Sequence, residues 1–196
     1  MGNRSWTVVK VGGSLFDLPD LRQRLTTFLT QLDAAKVLLV PGGGATADVI
    51  RDLDRVHQLG EEASHWLAIQ ALSVNARFLL GLLPQAQLIS QVTGDVQSLA
   101  YASGSEIRVL DAMPFFLADE ARSVPLPHRW DVTSDSLAVR AAIAAKAHTL
   151  ILLKSCDWSS DDWDEASRVG VVDGYFAQAV RQTPEVPRVK IVNLRA

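Results

Sequence analysis

A short apolar strand, a glycine turn and a helical stretch occur in that order twice within the first 60 residues, and this pattern most constrains the fold. Trp6 to Val11 is a mostly apolar run ending in Gly12-Gly13-Ser14. Leu18, Leu21, Leu25, Phe28, Leu29 and Leu32 then recur at helical spacing, which predicts a helix over Asp17 to Leu32. Lys36 to Val40 is a second apolar strand, Pro41-Gly42-Gly43-Gly44 a second turn, and Ala45 to Leu59 a second helix closed by Gly60. Strands alternating with helices argue for an α/β fold with an open, mainly parallel sheet.

The alternation continues down the chain. Glu61 to Leu83 reads as a long helix ended by Pro84, Gln87 to Val92 as a strand, Gly94 to Ala102 as a short helix and Glu106 to Leu110 as a strand. Met113 to Glu120 reads as a helical turn or irregular segment, and residues 123–130 as a loop with Pro125 and Pro127. An alanine-rich helix follows from about Ser136 to Ala147. Thr149 to Leu153 is almost wholly apolar, as expected of a central strand in a parallel sheet. The acidic stretch from Ser155 to Val169 reads as a surface excursion, Asp173 to Gln182 as a short helix and Arg188 to Asn193 as the last strand. The chain shows no repeat and no linker, so residues 1–196 are expected to form one domain.

Composition excludes several classes. At 196 residues with 48% hydrophobic and 21% charged, the chain is globular in character. Its 19 basic and 22 acidic residues form no basic block, so nucleic acid is not the expected partner. Cys156 is the single cysteine and has no internal disulfide partner, which fits a reducing compartment. No secretory h-region and no apolar run of ~20 residues is present, so a soluble, cytoplasmic protein with no membrane partner is expected.

Ligands of open α/β sheets bind at the carboxyl ends of the strands. Four features fall at such ends and would share one rim: Gly12-Gly13-Ser14, Gly42-Gly43-Gly44, the Asp131 to Asp135 segment and Lys154. Lys10 stands inside the first strand, where a lysine needs a reason. Either it reaches a phosphate site made by the glycine turn and the next helix N-terminus, or the strand is an edge and the lysine snorkels to solvent. Two glycine turns suggest two sets of backbone donors facing one cleft. Thr133-Ser134-Asp135 opens a helix, where Thr133 or Ser134 can cap the free N–H groups. Asp131 and Asp135 add two carboxylates that could hold Lys10 charged or bind water around Mg²⁺.

Other chemistries find no support. Gly42-x-Gly44-x-x-Ala47 matches the dinucleotide fingerprint, but a long helix stands where the fingerprint requires a strand ending in an acid. There is no P-loop and no G-x-S-x-G elbow. His57, His65, His128 and His148 show no zinc-ligand spacing, though His65-Trp66 could line an acceptor pocket.

Three ordered motifs resemble the amino acid kinase superfamily: Val9-Lys10-Val11-Gly12-Gly13-Ser14, Val40-Pro41-Gly42-Gly43-Gly44 and Thr133-Ser134-Asp135-Ser136-Leu137-Ala138. Within it the chain is most similar to the small kinases of methanofuran biosynthesis, which phosphorylate an aminomethylfuranylmethyl phosphate. The Trp130 to Ser136 segment and the short length carry this narrower match.

The resemblance implies a three-layer, carbamate kinase-like sandwich. Its N-terminal half would serve the acceptor and its C-terminal half would bind ATP with Mg²⁺. It implies that Lys10 neutralises the transferred phosphoryl group, that Gly12, Gly13 and Ser14 bind it, and that Gly42, Gly43 and Gly44 face a small-molecule phosphate acceptor. Asp135 would orient the lysine, with Asp131, Thr133 and Ser134 beside it. Lys154, Ser155 and Asp157 would lie on the nucleotide side, no certain metal ligand is identified, and a homodimer or higher homo-oligomer is implied.

Two departures stand out. The family's late Gly-Gly-Met…Lys segment is absent, and Lys154 is the candidate to supply its charge. Ser155-Cys156-Asp157-Trp158 replaces the usual Val-Asp-Gly-Val-Tyr run, while Val172-Asp173-Gly174-Tyr175 comes too late in the chain to fill that place. The alternatives are a kinase for uridine monophosphate or an amino acid carboxylate, and a non-catalytic nucleotide- or oxyanion-binding protein on the same fold.

Overall fold

In the computed structural model, residues 6–34, 36–91, 107–182 and 187–196 are described. Six strands form one sheet: β1 (Trp6–Val11), β2 (Lys36–Pro41), β3 (Gln87–Ile89), β4 (Ile107–Leu110), β5 (Thr149–Lys154) and β6 (Arg188–Asn193). Every pairing among them is parallel, in the order β3-β4-β2-β1-β5-β6. The chain leaves β1 towards β2 on one side and later returns to β5 on the other. The strand order therefore reverses at β1, the place where open α/β sheets leave a crevice at their carboxyl edge.

Helices cover both faces: α1 (Leu21–Gln31), α2 (Gly44–His57), α3 (Glu61–Leu82), α4 (Ala112–Asp119), α5 (Ser134–Ala144), α6 (Trp163–Arg168) and α7 (Phe176–Arg181). Alternation along β1 divides the core into two. Val9 and Val11 pack with Leu21, Leu25 and Leu29 of α1, while Val8 packs with Leu137, Val139 and Ala141 of α5. Helix α3 serves both sides, with Ile69 and Leu72 in the α5-side core and Ala76 and Leu79 in the α1-side core.

Several elements depart from the sequence reading. Gly13–Leu15 is a single 3₁₀ turn, and α1 begins only at Leu21. The first glycine turn is therefore not followed by an α-helix N-terminus, whereas the second opens directly into α2 at Gly44. The 113–120 segment is a regular helix, α4, because Phe115 and Phe116 are both buried in the core. The acidic excursion contains α6, which buries Ala166 and sets Trp163 edge-on to Phe176 at 5.4 Å. The short helix expected at 94–102 lies outside the described residues. No helix among the described residues is long and apolar enough to cross a membrane.

Candidate active site

Lys10 shares the face of Val8, so the fold aims it at α5. Its register neighbours are Val40 on β2 and Leu152 on β5, both fully buried. A lysine flanked on both sides by strands has no route to snorkel along an edge, and Lys10 is 4% exposed. Its partner is Asp135 in the first turn of α5, itself 4% exposed. Asp135 Oδ1 lies 2.9 Å from Lys10 Nζ, and Oδ2 accepts a hydrogen bond of 2.7 Å from Lys154 Nζ at the end of β5. One carboxylate thus bridges two lysines, and the triad carries a net positive charge.

The electrostatics follow from burial set against pairing. Burial lowers the Lys10 ammonium to about 8, and the Asp135 charge only partly offsets it. Burial pushes Asp135 upward, but the Lys10 and Lys154 charges prevail and hold it at about 2. Asp173 is raised, first by burial and then by the neighbouring Asp135 charge.

Asp173 also corrects the expected capping. Thr133 stands at the N-cap of α5, but its side chain does not cap the helix. Instead Asp173 Oδ2 accepts from the Thr133 N–H at 3.1 Å, the Thr133 hydroxyl at 2.9 Å and the Ser136 N–H at 2.9 Å. The Ser136 hydroxyl donates to Asp173 Oδ1 at 2.5 Å, and the Asp173 N–H donates to Asp135 Oδ2 at 3.2 Å. Asp173 therefore fixes the helix end that carries Asp135. The Val172-Asp173-Gly174-Tyr175 run was visible in the sequence, but nothing there showed that it folds back onto residue 133.

The two glycine turns touch backbone to backbone. A Cβ on Gly13 would come within 2.1 Å of Gly44 N, and one on Gly42 within 2.3 Å of Gly13 N. Gly44 also has a φ of +52°, which disfavours any side chain there. Not every amide faces outward. Gly12 N–H donates to Leu153 O at 2.9 Å and Gly42 N–H to Val11 O at 2.8 Å, so the fold itself uses both of these expected donors. Gly13 and Gly44 open helical turns, whose first N–H groups have no intrahelical acceptor. Asn75 of α3 holds the second turn, donating to Gly42 O at 2.8 Å and Gly43 O at 2.7 Å while accepting from the Thr46 hydroxyl at 2.9 Å. Its sequence signal was an asparagine inside a mostly apolar helix.

These parts surround a cavity of about 220 Å³. Lys10, Gly12, Gly13, Gly43, Gly44 and Lys154 line one end, with Ser14, Thr133 and Ser134 on its wall. Arg51, His65, Arg129 and Trp130 line the other end, and Ile69 and Leu72 give it an apolar side. Asp135 lies behind the lysines. Asp131 is turned away from them and forms a two-pronged ion pair with Arg129 at 2.9 and 2.8 Å. Ser155 meets the Ser14 hydroxyl at 3.0 Å, and Asp157 borders a separate shallow groove with Trp158 and Ile191.

The central strand of a parallel sheet thus carries a buried lysine that shares a carboxylate with a second lysine beside two apposed glycine turns. Residues 5–158 match the amino acid kinase family, and the chain belongs to that family.

Among curated relatives, the chain is 22% identical over 169 residues to the [5-(aminomethyl)furan-3-yl]methyl phosphate kinase of Methanocaldococcus jannaschii, covering 85% of this chain and 73% of that one. It is 32% identical over 108 residues to the uridylate kinase of Methanospirillum hungatei JF-1, covering 53% of this chain and 45% of that one. The fold matches the solved uridylate kinase of Archaeoglobus fulgidus with a TM-score of 0.64 at 18% identity, over 97% of this chain and 92% of that one. It also matches the UMP kinase of Ureaplasma parvum with a TM-score of 0.65 at 13% identity, over 98% and 91%.

Proposed function

We propose that this chain is an ATP-dependent kinase that phosphorylates a small phosphomonoester, with aminomethylfuranylmethyl phosphate the leading acceptor. The observation that carries the reading is the lysine pair bridged by Asp135 at the glycine-lined end of the cavity. In-line phosphoryl transfer needs little from a protein beyond positioning and charge. Lys10 and Lys154 supply fixed positive charge where negative charge accumulates on the transferred group. Gly13 and Gly44 let donor and acceptor phosphates approach the backbone closely, and the α2 N-terminus favours an anion at the second turn. Lys154, Ser155 and Asp157 belong to the nucleotide side in this reading, and Ser14 to the phosphate site.

Cavity size supports a small acceptor. About 220 Å³ lies below the ~300–1,000 Å³ typical of drug-sized ligands, so a single substituted ring with a phosphate suits it better than a nucleotide. The alternative of a non-catalytic binder arose from the missing late lysine. Lys154, 2.7 Å from Asp135, provides a second cation and weighs against it.

Magnesium would accompany ATP. Among the described residues no group of three His, Cys, Asp or Glu side chains is arranged to hold a metal. Asp135 is committed to two lysines and Asp173 to the α5 N-terminus. The residues therefore do not form a magnesium cage, and no step is assigned to the ion.

A homo-oligomer is part of the same reading. Val49, Leu53 and Val56 form an exposed apolar stripe along α2. Light scattering on the purified chain checks this, and a monomer at micromolar concentration overturns it.

The test of function is a panel of aminomethylfuranylmethyl phosphate, uridine monophosphate and an amino acid with Mg·ATP, read as ADP release. Preferential turnover of the furan phosphate supports the proposal. Preference for uridine monophosphate reassigns the acceptor, and no ADP with any acceptor overturns the kinase reading.

A further inference from the structure

A second charged cluster stands beside cavity-lining residues, stacked on His65 and directly before Arg129 and Trp130. His128, in the segment of residues 120–133 between α4 and α5, is bracketed by two carboxylates. Nδ1 lies 2.7 Å from Glu62 Oε2 of α3, and Nε2 lies 2.9 Å from Glu120 Oε1 at the end of α4. Both ring nitrogens therefore face acceptors, an arrangement that only the doubly protonated ring satisfies. Its flat side stacks on His65 of α3 at 4.6 Å and 16° between planes, and the edge of Trp66 lies 5.0 Å away. Burial pulls His128 down, but Glu120 and Glu62 overcome it and hold the ring above its ordinary value. His65 is held in the opposite state. Burial, and then the neighbouring His128 charge, lower it to about 4, so it stays neutral. Its Nε2 is buried with no hydrogen-bond partner among the described residues, although His65 lines the cavity.

The cluster matters because of what the 120–133 segment carries. Arg129 and Trp130, the residues directly after His128, form the far wall of the cavity. Trp130 Nε1 donates to Asp54 Oδ2 of α2 at 3.0 Å, and Arg51 of α2 lies over its ring at 5.5 Å. The segment is thus tied to α2 through Trp130 and to α3 through His128.

The geometry points to His128 as a positioning residue for the acceptor: clamped between Glu62 and Glu120, it docks the 120–133 segment on α3 and so sets Arg129, Trp130 and His65 around the acceptor's ring. The titratable and charged groups facing it are Glu62 and His65 from α3 and Glu120 from α4, and loss of its proton breaks one of its two carboxylate contacts. Acceptor affinity therefore weakens as pH rises through the His128 titration, while ATP affinity is untouched. This rests on the proposed kinase reading for the identity of the acceptor.

The experiment compares wild type, His128→Gln and the Glu62→Gln/Glu120→Gln double variant between about pH 5.5 and about pH 8. Acceptor KM, ATP KM and kcat are measured with aminomethylfuranylmethyl phosphate, together with the rise in Tm that this compound causes without ATP. The acceptor's own phosphate titrates near pH 6 in every variant, so the readout is the difference between proteins. His128→Gln is expected to raise acceptor KM about fivefold at low pH, leave ATP KM unchanged and keep only the pH dependence that the acceptor phosphate and Lys10 impose on every variant. The double variant keeps the ring but removes the carboxylates, and its midpoint moves to lower pH.

A His128→Gln protein with the wild-type pH profile, or a double variant with an unmoved midpoint, overturns the inference. If His128→Gln does not fold, the double variant decides alone. Absence of ADP with a pH-dependent, His128-dependent Tm rise would defeat the kinase reading and leave this inference standing. No acceptor-induced Tm rise in the wild type at low pH defeats the inference itself.

Discussion

Asp135 and Asp119 are both buried aspartates facing two basic side chains, yet they behave in opposite ways. Asp135 meets Lys10 at 2.9 Å and Lys154 at 2.7 Å, and its proton affinity falls to about 2. Asp119, fully buried at the end of α4, has Arg140 at 3.4 Å and Arg122 at 3.6 Å, and its proton affinity rises because burial outweighs those contacts and the Leu126 N–H donation. Arg140 also donates to Val124 O and both arginines stand beyond hydrogen-bond contact, whereas both lysines meet Asp135 at contact distance. The lesson is that cations at contact distance outweigh the burial of a carboxylate, whereas cations 3.4 and 3.6 Å away do not. Asp135 keeps its charge and stands behind the cavity, whereas Asp119 secures the 120–133 segment through Leu126 N–H at 2.8 Å.

The sharpest way to break this contrast is to remove one cation from each. Lys10→Ala is expected to lower kcat roughly 10²–10³-fold, as for loss of one preorganised charge contact. Arg140→Ala should leave kcat within about twofold. ADP release, with circular dichroism as the check on folding, decides this, and equal effects would erase the distinction. Gly13→Ala tests the same end of the cavity without touching charge. Its methyl would collide with Gly44, and a loss of about 10²-fold in kcat/KM is expected from misplaced phosphates.

Stability gives the next comparison. Asp135→Asn leaves two buried ammonium groups unneutralised and should cost about 3 kcal/mol in urea unfolding, against about 1 kcal/mol for Asp119→Asn. The pH dependences have opposite signs. Asp135 has its folded value below its unfolded one, so it contributes about 2 kcal/mol that is present at neutral pH and lost as pH falls from about 4 towards 2. Asp119 has its folded value above its unfolded one, so its term favours folding at low pH and fades as pH rises through that value. Each Asn variant should remove its own slope from the stability-pH curve.

On the alkaline side, Lys10 loses its proton near 8, so kcat should decline as pH rises through that value, well below the range of an ordinary lysine. A flat profile to pH 10 would detach Lys10 from the chemistry. Asn75→Ala is expected to cost about 1–2 kcal/mol of stability and raise acceptor KM several-fold, because it frees the second turn without touching a charge.

Much of this architecture was readable from local pattern. Strands β1, β2, β5 and β6 and helices α2 and α3 fall within a few residues of their expected bounds, because hydrophobic period and glycine punctuation are local signals. The family was legible from three short motifs in order. The capping of α5 was not, because Asp173 reaches Thr133 across 40 residues. Nor could the sequence tell that Gly12 and Gly42 spend their N–H groups on Leu153 and Val11 while Gly13 and Gly44 open helical turns. Asp131 looked equivalent to Asp135 in the sequence, and only α5 separates them, since Asp135 falls within its first turn and Asp131 before its N-cap.

What the amino-acid order determined by itself is the alternation that makes a parallel sheet, the bare glycines at two strand ends and a lysine inside an apolar strand that needed a reason. What only the tertiary structure decided is which groups meet: Lys10 with Lys154 through one carboxylate, Gly13 against Gly44, His128 between Glu62 and Glu120. The physical reason is one of range. Secondary structure follows from contacts a few residues apart, whereas a charge's state depends on every group and every lost water within a few ångströms, whatever its distance along the chain.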